Sequence, residues 1–399
     1  MFTAVRSLYD AAGSTFVAAA NFRDVFTSHR TLVAIRNNAV WVAVAPVVVT
    51  FFGLVFAVLS ERIRWATAFK TVIFMPMAIS FLAAGVIFRL AYETNPERGV
   101  INAVVAGPVD LLRPAGRYTG AAPRDPALLR PTGPTLTTAG AFRPGEVAGL
   151  PFVGLPPRQL PQRARQAVTP VASTAELRGV VWLDFALGGG GETGVVDRGE
   201  KGLPGMRVEA VRGGHVVATA TADDAGRFAF PRLAPGGPYR LRLSAANFRP
   251  PYGGVEWLGP ALVTSSIIGA YLWIWAGFAM VVIAAGLAAI PREALEAARV
   301  DGANEWQVFR RVTVPLLAPV LLVVVVTLVI NVLKIFDLVL IIPPGSVQAD
   351  ANVLALEMWR VSFGGGHDQG VGSALALLLF VLVVPAMAFN IRRLRAEAR

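Results

Sequence analysis

The sequence predicts an α-helical polytopic membrane protein of five spans, with an all-β sandwich inserted between the second and the third. Three observations carry this. The 399 residues are 54% hydrophobic and only 16% charged, with a mean hydropathy of +0.56, too apolar for an ordinary water-soluble globule. The apolar residues gather in stretches of about 20, enough to cross a ~30 Å hydrocarbon core at ~1.5 Å rise per residue. Between two of these stretches lies a long polar region in which apolar and polar residues alternate with the period of two that belongs to strands. Composition also excludes functions. Without cysteine there is no disulfide, thiolate metal site or cysteine nucleophile. The net charge of +11 raises the question of nucleic acid. The arginines are scattered over loops without interleaved aromatics and flank the apolar stretches, so membrane lipid is the expected surrounding and nucleic acid is not an expected partner.

Residues 1–36 are interrupted by Asp10, Arg23, Asp24, His29, Arg30 and Arg36 and hold neither a span nor a signal-peptide core. Asn37–Ser60 has no charge and is the first expected span. Thr71–Leu90 is the second, with Pro76 tolerated because neighbouring helices re-satisfy the freed backbone groups. These spans and their short loops make up a block over 37–105. The third, fourth and fifth, Val263–Leu287, Leu316–Ile342 and Val371–Ile391, fall within 251–399. The links Glu61–Lys70 and Pro291–Pro315 and the tail Arg392–Arg399 are rich in arginine, including Arg62, Arg64, Arg292, Arg310, Arg311 and Arg393. The positive-inside rule therefore expects them in the cytoplasm of a plasma membrane, with 1–36, 93–260 and 343–370 outside it.

The outer region divides. Residues 106–175 are rich in Pro, Gly, Ala and Arg without periodicity and read as an extended linker. In 176–250, Met206, Val208 and Ala210 alternate with Arg207 and Glu209, and the pattern recurs through Val216–Ala222, Phe228–Phe230 and Tyr239–Leu243. Gly213-Gly214, Asp224-Ala225-Gly226 and Pro235–Pro238 supply turns, giving a small antiparallel sandwich. His215 has no second histidine or paired carboxylate beside it and reads as a surface residue. Asp223 and Asp224 read as turn-formers rather than a calcium site. Gly188–Gly191 lacks the lysine and Ser/Thr of a phosphate-binding loop. No catalytic residue, metal site or cofactor is expected.

Ile290–Pro315 is a charged, helix-forming island between two spans. Pro291 suits a helix start, and Glu293 and Glu296 suit its first turns. Asp301-Gly302 breaks the helix where a positive φ is needed. Asn304 with Gln307 has capping-box spacing for a second helix, on which Trp306, Phe309 and Val312 share a face at i+3 steps. The stretch reads as helix, glycine turn, helix, shaped to dock. In the fourth span Thr327, Asn331 and Lys334 recur at i, i+4 and i+7 on one stripe with Asp337 near it. Charged groups within a bilayer face protein or a water-filled path; an ion pair of Lys334 with Asp337, or Lys334 reaching to the outer interface, fits equally. In the third span Tyr271, Trp273 and Trp275 fit either sugar stacking or an interfacial aromatic belt, the belt better for Tyr271.

Glu296-Ala297-Ala298, Gly302 and Val312-Thr313-Val314-Pro315 stand at the spacing EAA-x3-G-x9-I-x-L-P and resemble the EAA loop of bacterial ABC importer permeases, with valine for both Ile and Leu. Phe69-Lys70-Thr71, Glu256-Trp257-Leu258-Gly259, Lys334-Ile335-Phe336-Asp337 and Glu357-Met358-Trp359-Arg360 are similar to carbohydrate-importer permeases, oligosaccharide or α-glucoside types above all. Gly99–Asn102 is similar to the family's outer loop after its third span. Phe16-Val17 with Asn21–Phe26 is similar to the loop after its first span, so five spans are expected where the family has six. Gly202–Gly205 and Asp223–Phe228 resemble a carboxypeptidase-regulatory-like module. The resemblance implies the sugar-transporting permease subunit of an ATP-driven importer. Its implied partners are a second permease, an ABC ATPase dimer and an extracellular solute-binding protein. Glu296, Ala297, Ala298, Asp301, Gly302 and Pro315 would couple to the ATPase, and Thr327, Asn331, Lys334, Trp273 and Trp275 would line the solute path. Without its own Gly-x4-Gly-Lys-Ser/Thr motif the chain is not expected to be an enzyme. A permease for a non-sugar solute and a membrane-anchored envelope or sensor protein are the alternatives. The outer sandwich is expected to bind a partner or to act as a spacer.

Overall fold

The computed structural model describes residues 2–185, 191–234 and 237–397, with backbone alone at Arg62 and at 385–397. The chain forms two units, Met1–Ala103 with Gly254–Arg399, and Val104–Gly253.

The first unit is helical. Short helices α1 (Phe2–Arg6) and α2 (Ala20–Thr27) precede the long α3 (His29–Arg62). The helix that holds the expected first span therefore starts before Asn37, with Arg30 and Arg36 within it. The expected second span, Thr71–Leu90, is not straight. It comprises α4 (Ala66–Phe74) and a tight turn at Met75–Ala78, then α5 (Phe81–Ala91), bent by 101°. Pro76 brings the tight turn, and Ser80 caps the second piece by accepting from the Ala83 N–H at 3.2 Å. After α6 (Val100–Leu112) and the second unit come α7 (Val263–Ala288), α8 (Arg292–Val300), α9 (Glu305–Val308), α10 (Val314–Leu333), α11 (Asp337–Ile341), α12 (Leu354–Ser362) and α13 (Gln369–Glu397). Among the described residues three helices, His29–Glu61, Val263–Ala288 and Glu305–Leu333, are long and apolar enough to cross a membrane, or four if the bent pair is one span. The expected fifth span lies in α13, of which Gln369–Val384 is a shorter apolar helix. Of the basic tail, Arg399 and the side chains of Arg392, Arg393 and Arg395 lie outside the described residues.

The helical core is the meeting of α3, α7, α10 and α11, with Trp41, Val49, Ile267, Ile274, Val324 and Leu338 all buried. Gly53 lets α3 approach α7, since a Cβ there would lie 2.5 Å from that of Ala279; small residues serve helix packing in this way where lipid supplies no hydrophobic drive. One asparagine ties the loops together. Asn102 donates to the carbonyls of Glu93, Thr94 and Val255 at 3.0, 3.1 and 2.9 Å and accepts from the Val255 N–H and the Trp257 indole.

The second unit is a sandwich of two sheets. One has the order β1 (Ala122–Pro123), β4 (Val147–Val153), β5 (Leu177–Leu183), β6 (Lys201–Gly202), with β9 (Arg227–Phe230) also on β5. The other has the order β2 (Leu129–Thr132), β3 (Thr135–Thr138), β10 (Arg240–Leu243), β7 (Arg207–Arg212), β8 (His215–Thr221). The 106–175 segment, expected as a linker, thus contributes four strands. The short β2 and β3 and the proline in β2 conceal any alternation, and β4 is largely buried, so its sequence shows no period of two. The sandwich is also not wholly antiparallel: β4 pairs with β5 in parallel. Leu150, Phe152, Val181 and Phe228 face Leu129, Val208, Leu241 and Leu243 across the core. The Gly213-Gly214 turn has φ of +60° and +84°, the left-handed pair that a two-residue hairpin needs. Asp223 accepts from the N–H groups of Ala225 and Arg227, as a turn-former does. Pro235, Gly236 and Gly188–Gly190 lie outside the described residues. Gly116 and Tyr118 donate their N–H groups to the carbonyls of Arg249 and Asn247, fastening the unit's entry to its exit.

Inside this unit Glu200 is buried beside the Asp184 carboxyl, and its Oε1 has no hydrogen-bond donor among the described residues. Burial, followed by the neighbouring Asp184 and Asp197 charges, raises its affinity for a proton above the ordinary value of 4.5. A group whose native value is raised stabilises fully below its unfolded value and loses that contribution as pH rises through the native one. Thermal unfolding of the unit should therefore move to lower temperature as pH climbs from about 4.5, and Glu200→Gln, which stays neutral, should flatten that slope.

Candidate functional site

Two places in the helical unit gather the candidate residues. The first is the elbow after α7. Pro291 stands immediately before α8 with φ of −60°, and Glu293 occupies the first turn. The helix ends in a complete Schellman turn: the Ala303 N–H reaches the Ala298 carbonyl and the Gly302 N–H the Arg299 carbonyl, both at 3.0 Å. Gly302 takes φ of +84°, which a side chain would strain. Two residues later Asn304 and Gln307 form a reciprocal capping box, both bonds 2.9 Å. Arg299 reaches across the turn to Glu305, with Nε to Oε1 at 2.9 Å; this contact holds the guanidinium still more firmly protonated than usual.

The spacing of this stretch predicts the helix, turn and helix that are seen, but not the way the second helix joins the span. Pro315 does not open a separate span: α9 continues through a π-helical turn, Phe309–Thr313, directly into α10, so Glu305–Leu333 is one helix. The wider turn sits where a proline ring would otherwise meet the carbonyl four residues back. No residue of α8 is buried. Glu296, Ala297, Asp301 and Gly302 are exposed and Ala298 half-buried; the Glu296 carboxylate makes no hydrogen bond among the described residues. Trp306 stacks on Phe309 at 5.7 Å and remains 65% exposed. On the inner side of the elbow lies a cavity of about 1130 Å³, walled by Leu54 and Val58 of α3, Leu287, Leu295 and Phe309.

The second place is a cavity of about 250 Å³ where α10 ends. Asn331, Lys334, Phe336 and Asp337 line one side, Tyr271 and Trp275 the other, with Phe81 of the bent pair. The expected fourth span is broken here: α10 stops at Leu333, Lys334 is its C-cap, and α11 begins at Asp337. Irregular backbone at membrane depth is tolerated where it borders a cavity. No ion pair joins Lys334 to Asp337, since the helix that would bring them together has ended. Tyr271 and Trp275, four residues apart, stack at 5.8 Å, and Tyr271 also meets the edge of Trp41 at 5.6 Å. The Tyr271 hydroxyl and the Trp275 indole N–H are buried without partners among the described residues. At 2% exposure Tyr271 belongs to no interfacial belt.

Two expected path residues are elsewhere. Trp273 lies across the helix, 39% exposed and edge-on to Phe88 at 5.3 Å, while Thr327 lies below the cavity and accepts from Asn331 through its carbonyl at 3.0 Å. Helical spacing distinguishes the aromatics, because residues two apart fall on opposite sides of a helix and residues four apart on the same side. Of the other lining residues, Asp337 is expected only near the polar stripe and Tyr271 rather in an interfacial belt, while Phe81 and Phe336 carry no signal in the sequence.

The model of the family described as the inner membrane component of binding-protein-dependent transport systems matches residues 228–394, and that of the carboxypeptidase regulatory-like domain matches 193–257. The osmoprotective compounds uptake permease protein GgtC of Synechocystis is 26% identical over 403 residues, covering 100% of this chain and 92% of that protein. The alpha-glucoside transport system permease protein AglF of Rhizobium meliloti is 27% identical over 396 residues, 98% of this chain and 75% of that one. An ABC transporter permease protein, ORF1, of Caldicellulosiruptor is 31% identical over 130 residues, 33% of this chain and 92% of that protein. In fold, the chain is similar to a bacterial ABC transporter that imports the acidic polysaccharide alginate, with a TM-score of 0.54 at 14% identity over 98% of this chain and 88% of that one. The chain belongs to the family of binding-protein-dependent transport system inner membrane components and is an ABC importer permease, not an enzyme.

Asn304→Ala removes the cap on the second arm of the elbow. It should weaken the turn by about 1 kcal/mol, seen as faster amide exchange over 302–308 with 320–333 unchanged.

Proposed function

We propose that this inner membrane component imports a sugar, an oligosaccharide or α-glucoside, and that its elbow receives the ATP-driven motion. The observation that carries the reading is the continuity of the elbow with α10. A docking helix with an exposed Glu296, which makes no hydrogen bond among the described residues, is joined by a glycine turn to one helix whose far end bears Asn331 and borders the aromatic cavity. Over Glu305 to Asn331 that helix is about 40 Å long, so movement of α8 at one membrane face is delivered to the cavity near the other.

In this reading the elbow and the C-terminus lie in the cytoplasm of a bacterium, and the β unit lies outside. An ABC ATPase dimer takes α8 in a cleft: Glu296 meets a basic group, Ala297 and Ala298 permit close approach, and Asp301-Gly302 fixes the angle of the second arm. A second permease completes the path and a solute-binding protein delivers the sugar. Tyr271 and Trp275 offer a stacked aromatic wall for the apolar C–H faces of a sugar. Their unpartnered Oη and Nε1, together with Asn331, Lys334 and Asp337, offer the hydrogen-bonding groups its hydroxyls require. Desolvated polar groups without partners among the described residues are suited to a polar ligand. The name of the Rhizobium meliloti relative supports an α-glucoside; that of the Synechocystis relative supports a second reading, an osmoprotective compound.

In proteoliposomes with the partner subunits, binding-protein-stimulated ATP hydrolysis in the presence of an α-glucoside, but not of a neutral osmoprotective compound, is the expected result; the reverse selects the second reading. Glu296→Lys and Gly302→Val should each lower ATP-driven uptake by about 5–150-fold, the range of coupling free energies of ~1–3 kcal/mol. Membrane insertion should be unchanged. Wild-type uptake in both would remove the coupling role. Trp275→Ala should raise the KM for uptake by about two- to tenfold, the worth of an aromatic stack, while basal ATP hydrolysis is retained.

A further inference from the structure

The outer face of one sheet of the β unit carries a charge pattern that neither the fold nor the transport site uses. Register sets Arg130, Thr137, Arg242, Glu209 and Thr219 in one row across β2, β3, β10, β7 and β8. A neighbouring row adds Thr132, Thr135, Arg207 and Thr221, and on the other side Arg240 stands opposite Val211. All share the face away from the core, because Leu129, Val208, Leu241 and Leu243 between them point inward and are buried. The face therefore presents four arginines and five threonines against one carboxylate. Arg242 binds that carboxylate at 2.7 Å. Arg130, Arg207 and Arg240 are exposed, and their guanidinium groups have no partner among the described residues.

The opposite sheet is treated differently. Its outer residues Val180 and Trp182 are 1% exposed, covered by Ala167 and Val196 of the unit's own chain. One outer face is sealed with apolar contacts, while the other is left bare and cationic. A stable protein interface takes its energy from buried aromatic or aliphatic anchors, and this face offers only valines at one corner. What it does offer is a lattice. Guanidinium forks bind carboxylates in bidentate fashion, and threonine hydroxyls both donate to and accept from sugar hydroxyls. Strands lie ~4.8 Å apart, and alternate residues along a strand ~6.8 Å apart, so a polymer with repeated negative charges and hydroxyls is met at several points without a pocket.

We propose that this face, formed by β2, β3, β10, β7 and β8, binds an anionic polysaccharide. The face belongs to the β unit, and the proposal does not depend on which solute the permease carries. Its test uses the full chain in nanodiscs, with fluorescently labelled polygalacturonate as the anionic probe and labelled dextran as the neutral one, read by fluorescence anisotropy. Polygalacturonate should bind and dextran should not, and added salt should weaken the binding as exposed charges are screened. The triple variant Arg130→Gln, Arg207→Gln, Arg240→Gln should lose at least about tenfold in affinity, equivalent to ~1.4 kcal/mol. Thr137→Glu, which leaves every arginine in place and sets a negative charge between Arg130 and Arg242, should weaken binding in the same direction and decides the matter if the triple variant melts early. No binding by the wild-type chain, or equal binding by both variants, overturns the proposal. It also fails if the variants keep polymer binding but lose stimulation by an acidic solute-binding protein, which would assign the face to a protein.

Discussion

The geometry of the elbow rests on a single left-handed residue. Gly302 at φ of +84° lets the carbonyls of Ala298 and Arg299 be satisfied as α8 ends, and the chain re-enters a helix at Asn304 with its first N–H groups capped. A helix end normally leaves four groups of one polarity open. Here both ends facing the turn are closed by local bonds, and the Arg299–Glu305 pair spans the gap. The elbow thus keeps its angle without needing burial, and α8 has none. The docking role proposed for α8 asks it to be stiff and exposed together, and local capping meets both demands where packing would meet only the first.

Stiffness alone does not transmit motion; the second arm must also be continuous with the bundle. Pro315, like Pro319 within α10, puts continuity at risk, since it donates no backbone N–H and crowds the preceding turn. The π turn at Phe309–Thr313 widens the helix just ahead of it, so the proline is accommodated without a break and Glu305–Leu333 stays one rod. The break comes instead at Lys334–Phe336, beside the cavity. On the coupling role proposed for the elbow, a helix continuous from the elbow to the cavity and broken beside it would concentrate displacement on the residues that line the cavity.

How much of this was legible depended on the range of the interactions. The elbow was readable because its bonds are local: Gly302, Asn304 and Gln307 sit at spacings that mean the same thing in any helix pair. The long spans were readable from hydropathy, and β7 to β10 from alternation with wet outer faces. The segment over 122–153 was not, since β4 is largely buried and its strand character exists only in the pairing with β5, more than twenty residues away. In the cavity, Asn331, Lys334 and Trp275 were found because polar or aromatic groups stand out in an apolar span. Thr327 and Trp273 were wrongly grouped with them. A stripe through Asp337 requires one unbroken helix, which ends at Leu333, and the rings of α7 fall on different sides of it.

The extent of the β unit bears on what kind of insertion it is. The sequence likeness to a regulatory-like module covers 193–257, yet neither sheet is complete within that stretch. β10 needs β3 on its outer edge, and β5, flanked by β9 and β6 on one side, needs β4 on the other. Without 122–153 each sheet would expose a row of unpaired N–H and C=O groups, the usual invitation to misassociation, and the core would lose Leu129, Leu150 and Phe152. The folding unit is therefore the whole of Val104–Gly253, closed by the Gly116–Arg249 and Tyr118–Asn247 bonds. A module whose first and last segments are bonded to each other interrupts a membrane protein at a single point, because its stability draws on its own ends.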